Sequence, residues 1–514
     1  MKNQMIKATL LLTVGGFVCK FLGAFYRIPL SNILGAEGMG IYQLVFPLYS
    51  FALVFVTGGI PMAISKYTSC ALAQNKHNKI PVYFLYGFLY SLLVSLFFGL
   101  VFVLFAKQIA SFQGIADSYF IYYLLSSAIL FGCMLGVFRG LFQGYSNMFP
   151  TFLTQIIEQI LKLIVGLLFA SILSFYGLQW AVLGAILGLA VAELIAFVVI
   201  VIYTATLSKK HKIYLKLSTA LIKQKQPEAK KMIGFSVGIT FASLVIPMTF
   251  AIQSLFVVKL LFYGGVPENM ATALFGIQSG MVQSIVNFPT IIAVSLAITL
   301  VPTLSFYLAK KDDIKINQVI KNFYKTVWIL CLPCMVGLFV LAKVFMPILF
   351  FGGIEEGMID TAVLLMMISS FSIVFISITQ ISTVLLQTTN QTWKAFISLM
   401  VFMTSNILLF FLFVPRFSIY GLAVSNLIAY GLTSVLNMAF LQKNYSPKLR
   451  AFDVINPIIF SAFMGILIFY LNIYLAINFI LLKLFICIFI AILFYFSFLI
   501  IFKNIVIKHI FSDK

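Results

Sequence analysis

Two cations stand inside an apolar run covering residues 8–30: Lys20 near its middle and Arg27 towards one end. With Gly16 and Gly23 they form the series 16, 20, 23, 27, in steps of four, three and four residues. That spacing puts all four on one face of a helix. The glycines let a ligand or another backbone come close. The cations attract an anion, and the planar guanidinium fork of Arg27 matches phosphate oxygens. At the centre of a bilayer such groups cost about 2.5–3.5 kcal/mol each on insertion scales, so they usually line a cavity. The face is a candidate anion site between helices. The competing reading lets Arg27 snorkel to the interface and pairs Lys20 with a buried acid.

A second stripe, Thr151, Gln155, Glu158 and Lys162, repeats the same steps. Glu158 and Lys162 are one turn apart and can neutralise each other. Glu158 can instead pair with Lys20 or hold a coupling cation, and Glu193 is a further partner open to Lys20. Lys66 and Arg139 end the second and fourth apolar runs, where they could catch a phosphate head group or simply anchor their helices. Lys259, near the far end of the seventh run, completes a cationic path or snorkels. The substrate-binding candidates are therefore Lys20, Arg27, Lys66, Arg139, Glu158, Lys162 and Lys259.

No catalytic residue, cofactor or metal site is expected. Cys19, Cys70, Cys133, Cys331, Cys334 and Cys487 lie in or at the ends of apolar runs. Cys331-Leu-Pro-Cys334 has the spacing of a redox motif but lacks a βαβ context, so both read as small buried residues. His77, His211 and His509 are scattered through basic segments and make no ligand cluster.

The elements that must carry these groups follow from composition. Of 514 residues, 62% are hydrophobic and 9% charged, with a mean hydropathy of +1.11. A soluble chain has about 45–50% apolar and about 25% charged residues, which excludes a soluble enzyme, a secreted disulfide scaffold and a disordered chain. The apolar runs are long and continuous rather than short and alternating, which excludes a β-barrel. About fourteen runs reach the roughly 20 residues that a membrane-crossing helix needs. Lys20 interrupts the first run and no small-residue cleavage site follows it, so it reads as a span and not a leader.

The net charge of +21 suits the positive-inside rule better than nucleic acid, and no nucleic-acid partner is expected. Most lysines and arginines fall in one set of loops, while Glu37, Asp117, Glu268, Glu355 and Glu356 fall in the other. Both termini are therefore expected in the cytoplasm. The longest hydrophilic stretch, 207–231, is rich in lysine, and the interleaved Ile213, Leu215, Leu217, Leu221 and Ile222 make it either a solvated linker or an interfacial helix. Short matches recur about 240 residues apart: Pro61 with Pro302, Gln143 with Gln387, and Tyr176-Gly177-Leu178 with Tyr420-Gly421-Leu422. They suggest two parallel six-helix halves, a layout that transporters use. The expected fold is all-α and polytopic. It divides into an N-terminal six-helix lobe (1–206), a basic cytoplasmic linker (207–231), a C-terminal six-helix lobe (232–442), and two extra helices with a tail (443–514).

Three motifs carry a resemblance over essentially the whole chain at low density. They are Lys20-Phe-Leu-Gly23-Ala-Phe-Tyr-Arg27, Leu34-Gly35-Ala36-Glu37-Gly38-Met39-Gly40-Ile41-Tyr42 and Gly59-Ile60-Pro61-Met62-Ala63-Ile64-Ser65-Lys66. Arg139-Gly140, Gln155 to Gln159 and Val301-Pro302-Thr303-Leu304-Ser305 extend it. The chain resembles the polysaccharide-transporter branch of the multidrug/oligosaccharidyl-lipid/polysaccharide exporter superfamily, in particular the stage V sporulation protein B-like flippases related to the lipid II flippase MurJ. The resemblance implies a flippase in a bacterial cytoplasmic membrane, with two lobes around a central cationic cavity and the last two helices forming a groove for a lipid tail. It implies as cargo an undecaprenyl-pyrophosphate-linked sugar, lipid II or a related polysaccharide unit. Lys20 and Arg27 fall at the cationic pair of the family's first helix, seven apart as in the sporulation group, while Ser284 and its neighbours carry no charge.

The expectation is alternating access between leaflets, with membrane lipid as a partner and a coupling ion or the membrane potential as drive. One alternative is a drug/cation antiporter of the same superfamily, which prefers intramembrane acids. The other is a membrane glycosyltransferase or polymerase on the same lipids, which needs external carboxylates; only Glu37, Asp117, Glu268, Glu355, Glu356 and Asp360 on short loops are at hand.

Overall fold

A computed structural model describes residues 2–207, 227–445, 451–475 and 480–501. The stretch read as linker or interfacial helix falls mostly outside the described residues. Among those residues the chain is helical, with no strand, and 13 stretches are long and apolar enough to cross a membrane. The first of these, Gly15–Ala73, holds two of the expected spans, so the fourteen-span reading stands. The chain is a multi-pass membrane protein.

Contacts divide it into two compact units, Met1–Gly276 and Ile277–Lys514. The first contains α1 (Lys2–Thr57), α2 (Ile60–Ala73), α3 (Ile80–Leu104), α4 (Ala106–Phe112), α5 (Ile121–Gly144), α6 (Phe149–Leu173), α7 (Leu178–Leu207), α8 (Pro227–Tyr263) and α9 (Glu268–Phe275). At about 1.5 Å per residue, α1 is far longer than a bilayer is thick. Gly35, at φ 67° and ψ −179°, breaks it into two spans. A Cβ there would meet nothing within 4 Å, so the need for glycine is torsional and not steric.

Within this unit α6 and α7 form a close hairpin. A Cβ on Gly188 would lie 2.3 Å from the Cα of Gly166, and one on Gly184 2.4 Å from the carbonyl oxygen of Phe169. Small residues here let two backbones touch, which is how membrane helices gain packing without a hydrophobic drive between them. Ile60, Ile64, Leu141, Phe142, Ile200 and Met232 fill the core shared by α2, α5, α7 and α8. The seventh span, placed by the sequence repeat at the head of the second half, packs here against α1, α2 and α3. At its start Glu228 accepts hydrogen bonds from Lys79 Nζ and Tyr83 Oη, both at 2.5 Å.

The second unit begins in a π-helical turn, Gly276–Val282, that opens into α10 (Gln283–Ala309). It continues through α11 (Asp313–Leu349), α12 (Ile359–Ser370), α13 (Ser372–Thr388), α14 (Thr392–Phe417), α15 (Ile419–Gln442), α16 (Ala451–Tyr474) and α17 (Ile480–Ile501). The last two helices dock on α11. Phe460, Met464, Leu484 and Tyr495 bury Ile329, and the Tyr495 hydroxyl donates to the Ile329 carbonyl at 2.8 Å. Asp453 pairs with Lys321 at 3.2 Å and Lys325 at 2.9 Å, one turn apart on α11.

Gln143 and Gln387, one of the matched pairs, lie at similar helix ends. Just past α5 stands Ser146 at φ 57°, and just past α13 Asn390 at φ 60°. In each, the left-handed residue and the one after it donate back into the last turn: Ser146 to Gln143 and Asn147 to Phe142, Asn390 to Gln387 and Gln391 to Leu386. This left-handed C-terminal cap recurs at Asn75 and Lys311. All four lie in loops of the lysine-bearing set.

The glycine contacts yield a stability test. Gly188→Val forces a side chain into the α6 backbone and is expected to cost about 2–3 kcal/mol. Gly234→Ala, on an open stretch of α8, is expected to be neutral or slightly stabilising. Thermal unfolding of the detergent-purified chain reads both.

Candidate functional site

The site is built on α1, α5, α6 and α7. Arg139 reaches from α5 to α6, where its Nη2 lies 3.0 Å from Glu158 Oε2 and its Nε donates to Thr154 Oγ1 at 3.0 Å. Thr154 is free to accept because its own proton goes to the Pro150 carbonyl at 2.8 Å. Gln159 Nε2 donates to the other carboxylate oxygen of Glu158 at 3.4 Å. Both side chains of the ion pair are largely buried. Of the partners open to Glu158 in the sequence, Lys162 and Lys20, the structure selects neither: Arg139 neutralises it.

Lys162 turns instead towards aromatic faces. Its Nζ is 5.5 Å from the ring centre of Tyr26 and 5.0 Å from that of Phe46, close enough for cation–π attraction. Glu193, buried on α7, accepts from the Tyr49 hydroxyl at 3.0 Å. It too is not the partner of Lys20.

Lys20 is exposed, and among the described residues it makes no hydrogen bond or ion pair. Around it α1 leaves room: a Cβ on Gly16 would meet nothing within 4 Å, and one on Gly23 only Gln159 Oε1 at 3.4 Å. Arg27, about two helical turns further on along the same face, is half-buried and lies within electrostatic reach of Tyr26 and Tyr42. The predicted face 16, 20, 23, 27 thus exists, with its middle cation accessible in a segment long and apolar enough to cross a membrane.

The remaining candidates each pair a helix with α8: Lys66 of α2 meets an α8 ring, and Lys259 of α8 meets an α4 ring. Lys66 Nζ sits over the Phe235 ring at 3.9 Å, and Lys259 Nζ over the Phe112 ring at 3.3 Å. The structure therefore brings Lys20, Arg27, Arg139, Glu158 and Lys162 onto neighbouring helices and leaves Lys66 and Lys259 on contacts of their own. Thr154 and Tyr49 were missed in the sequence. Thr154 stands one turn before Glu158, a spacing that could have pointed to it. Tyr49 lies 144 residues from Glu193 and left no local sign. Among the described residues no group of three His, Cys, Asp or Glu could hold a metal. Cys331 Sγ donates to Ser377 Oγ at 3.3 Å, and both members of the Cys331–Cys334 motif are free thiols. These helices carry the cations Lys20, Arg27, Arg139 and Lys162 and the carboxylates Glu158 and Glu193, and Arg139 is ion-paired with Glu158.

Known proteins agree with this architecture. A family profile described as polysaccharide biosynthesis protein matches residues 5–308. Stage V sporulation protein B of Bacillus subtilis (strain 168) is 26% identical over 316 residues, 60% of this chain. The matched part spans 60% of the length of that relative. The solved lipid II flippase MurJ in an inward closed conformation superposes with a TM-score of 0.74 at 17% identity, covering 97% of this chain and 100% of that one. An inward-facing multidrug resistance MATE family transporter of the MOP superfamily gives 0.69 at 12% identity, covering 85% and 97%. These likenesses establish the fold.

The ion pair can be dissected. Arg139→Ala leaves Glu158 buried without its cation and is expected to lower stability by about 2–3 kcal/mol. The double variant Arg139→Ala/Glu158→Gln is expected to recover most of that loss. Thermal unfolding of the four proteins of this cycle measures the coupling.

Proposed function

Since the chain belongs to the polysaccharide biosynthesis protein family, we propose that it is a flippase for an undecaprenyl-pyrophosphate-linked sugar, lipid II or a related polysaccharide unit. It carries the cargo from inner to outer leaflet by alternating access through a cationic cavity. One observation carries this reading: a lysine, Lys20, exposed and without a partner among the described residues, in a stretch long and apolar enough to cross a membrane.

A lipid-linked sugar cannot cross unaided, because its diphosphate and sugar would lose their hydration in hydrocarbon. Lys20 supplies a compact charge and Arg27 a planar fork as substitute partners for the diphosphate. The polyprenyl tail stays in lipid. Arg139 is held by Glu158, so this ion pair shapes the field around Lys20, while Lys66 attracts the head group at intake and Lys259 guides it at exit. Both termini lie in the cytoplasm, and the six-helix halves read from the repeat act as the two rocking lobes. The membrane potential helps to reset an empty cationic site, since moving one charge is worth about 2.3 kcal/mol per 100 mV. The names of the relatives support this reading: one is a sporulation protein and another a lipid II flippase.

The drug/cation antiporter is disfavoured by a specific observation. Such a carrier needs an acid free for its cargo, and here Glu158 is engaged at both oxygens while Glu193 is buried under Tyr49. The glycosyltransferase alternative would have to use Glu37, Asp117, Glu268, Glu355, Glu356 or Asp360, and Glu37 lies within α1.

The reading is tested in vesicles carrying labelled lipid-linked sugars. Lys20→Ala is expected to cut leaflet exchange at least about tenfold, a loss of roughly 1.4 kcal/mol or more in cargo stabilisation. Lys20→Arg is expected to retain most of it, and Arg27→Ala to add to the defect. Exchange at the parental rate in the Lys20→Ala/Arg27→Ala double variant overturns the assignment.

A further inference from the structure

The eighth span holds polar groups that the diphosphate does not need. From Asn269 to Ala309 it has no charged residue. Its π-helical turn, Gly276–Val282, is a distortion of a kind often found at functional sites. Polar side chains leave this segment on two sides. Gln278 and Ser284 are buried, and Gln278 Nε2 donates to Ser369 Oγ at 3.1 Å, an internal packing contact. Ser279, Gln283 and Asn287 are half-buried and follow one another at steps of four.

Gln283 Nε2 donates to Asn287 Oδ1 at 3.0 Å. That bond fixes the two carboxamides side by side and leaves a specific edge. Gln283 Oε1 remains an acceptor and Asn287 Nδ2 a donor. Neither takes another hydrogen bond among the described residues, and neither is enclosed. Two amides with an open edge inside a membrane span are costly against hydrocarbon. They are stable there when a polar ligand or water completes them.

The edge also has a chemical preference. A phosphate oxygen only accepts, so it can use the Asn287 amide but is repelled by the Gln283 carbonyl. A sugar hydroxyl both donates and accepts, and an acetamido group does the same through its N–H and carbonyl. We propose that the Gln283–Asn287 pair on α10 is a sugar-reading site, which recognises the hydroxyl or acetamido groups of the cargo's first sugars. This rests on the reading of the cargo as a lipid-linked sugar pyrophosphate, and it adds a specificity element separate from the cations of α1.

The test uses the detergent-purified full chain and two soluble probes: a short-chain polyprenyl pyrophosphate with and without an N-acetylglucosamine-containing disaccharide. Calorimetry measures the affinity for each. The parent chain is expected to bind the sugar-bearing probe about tenfold more tightly, as two modest hydrogen bonds allow. Gln283→Met/Asn287→Leu, close in volume to the parent, is expected to bring that ratio near one with sugar-free binding unchanged. The single variant Gln283→Met, expected to show an intermediate ratio, carries the test if the double variant unfolds. A parental ratio in a folded variant overturns the site, as does an equal fall in binding of both probes, or a parent chain that does not distinguish them. A parent chain that binds neither probe overturns the flippase reading itself, and the site with it.

Discussion

The Arg139–Glu158 ion pair decides what chemistry is left to its neighbours. An acid inside a membrane protein must find a positive or proton-bearing partner, and Glu158 finds both a guanidinium and a carboxamide. Had it turned to Lys20, that lysine would be neutralised and Arg27 would be the cation left on the α1 face. Because α5 delivers Arg139 to α6, Lys20 is left without an ion-pair partner among the described residues. The polar contacts around the pair reinforce that choice. Thr154 orients the guanidinium, Gln159 occupies the second carboxylate oxygen, and Gly23 leaves α1 slim enough to lie against Gln159.

Much of the architecture was readable because hydrocarbon imposes a simple length rule. A run of apolar residues long enough to cross must be a helix, and its ends are marked by lysines and turns. Of the short matches about 240 residues apart, Gln143 and Gln387 lie at helix ends of one kind, a kind that Asn75 and Lys311 share. The kink at Gly35 was not readable. Residues on both sides of it favour helix, and a glycine in a helical pattern says only that the position tolerates an unusual torsion.

For the site, the outcome depended on sequence distance. The α1 face was readable since helical spacing alone puts Gly16, Lys20, Gly23 and Arg27 together. The partner of Glu158 was not. Local spacing offered Lys162 one turn away, but the actual partner stands 19 residues earlier across a turn between two helices. The hydrogen bond from Tyr49 to Glu193 spans still more of the chain. Such pairings arise from which helices touch, and that depends on small residues such as Gly166 and Gly188, whose meaning emerges only once the backbones are in place.

The continuity of α1 through Gly35 bears on how this molecule's orientation can be mapped. Two crossings are joined by a single left-handed residue, with no loop to receive a tag or a protease. A scheme that equates each unbroken helical stretch with one passage counts them as one and arrives at an odd total. Odd parity sends the two chain ends to opposite faces and inverts the sidedness of every later segment. One torsion angle thus separates a consistent topology from its mirror.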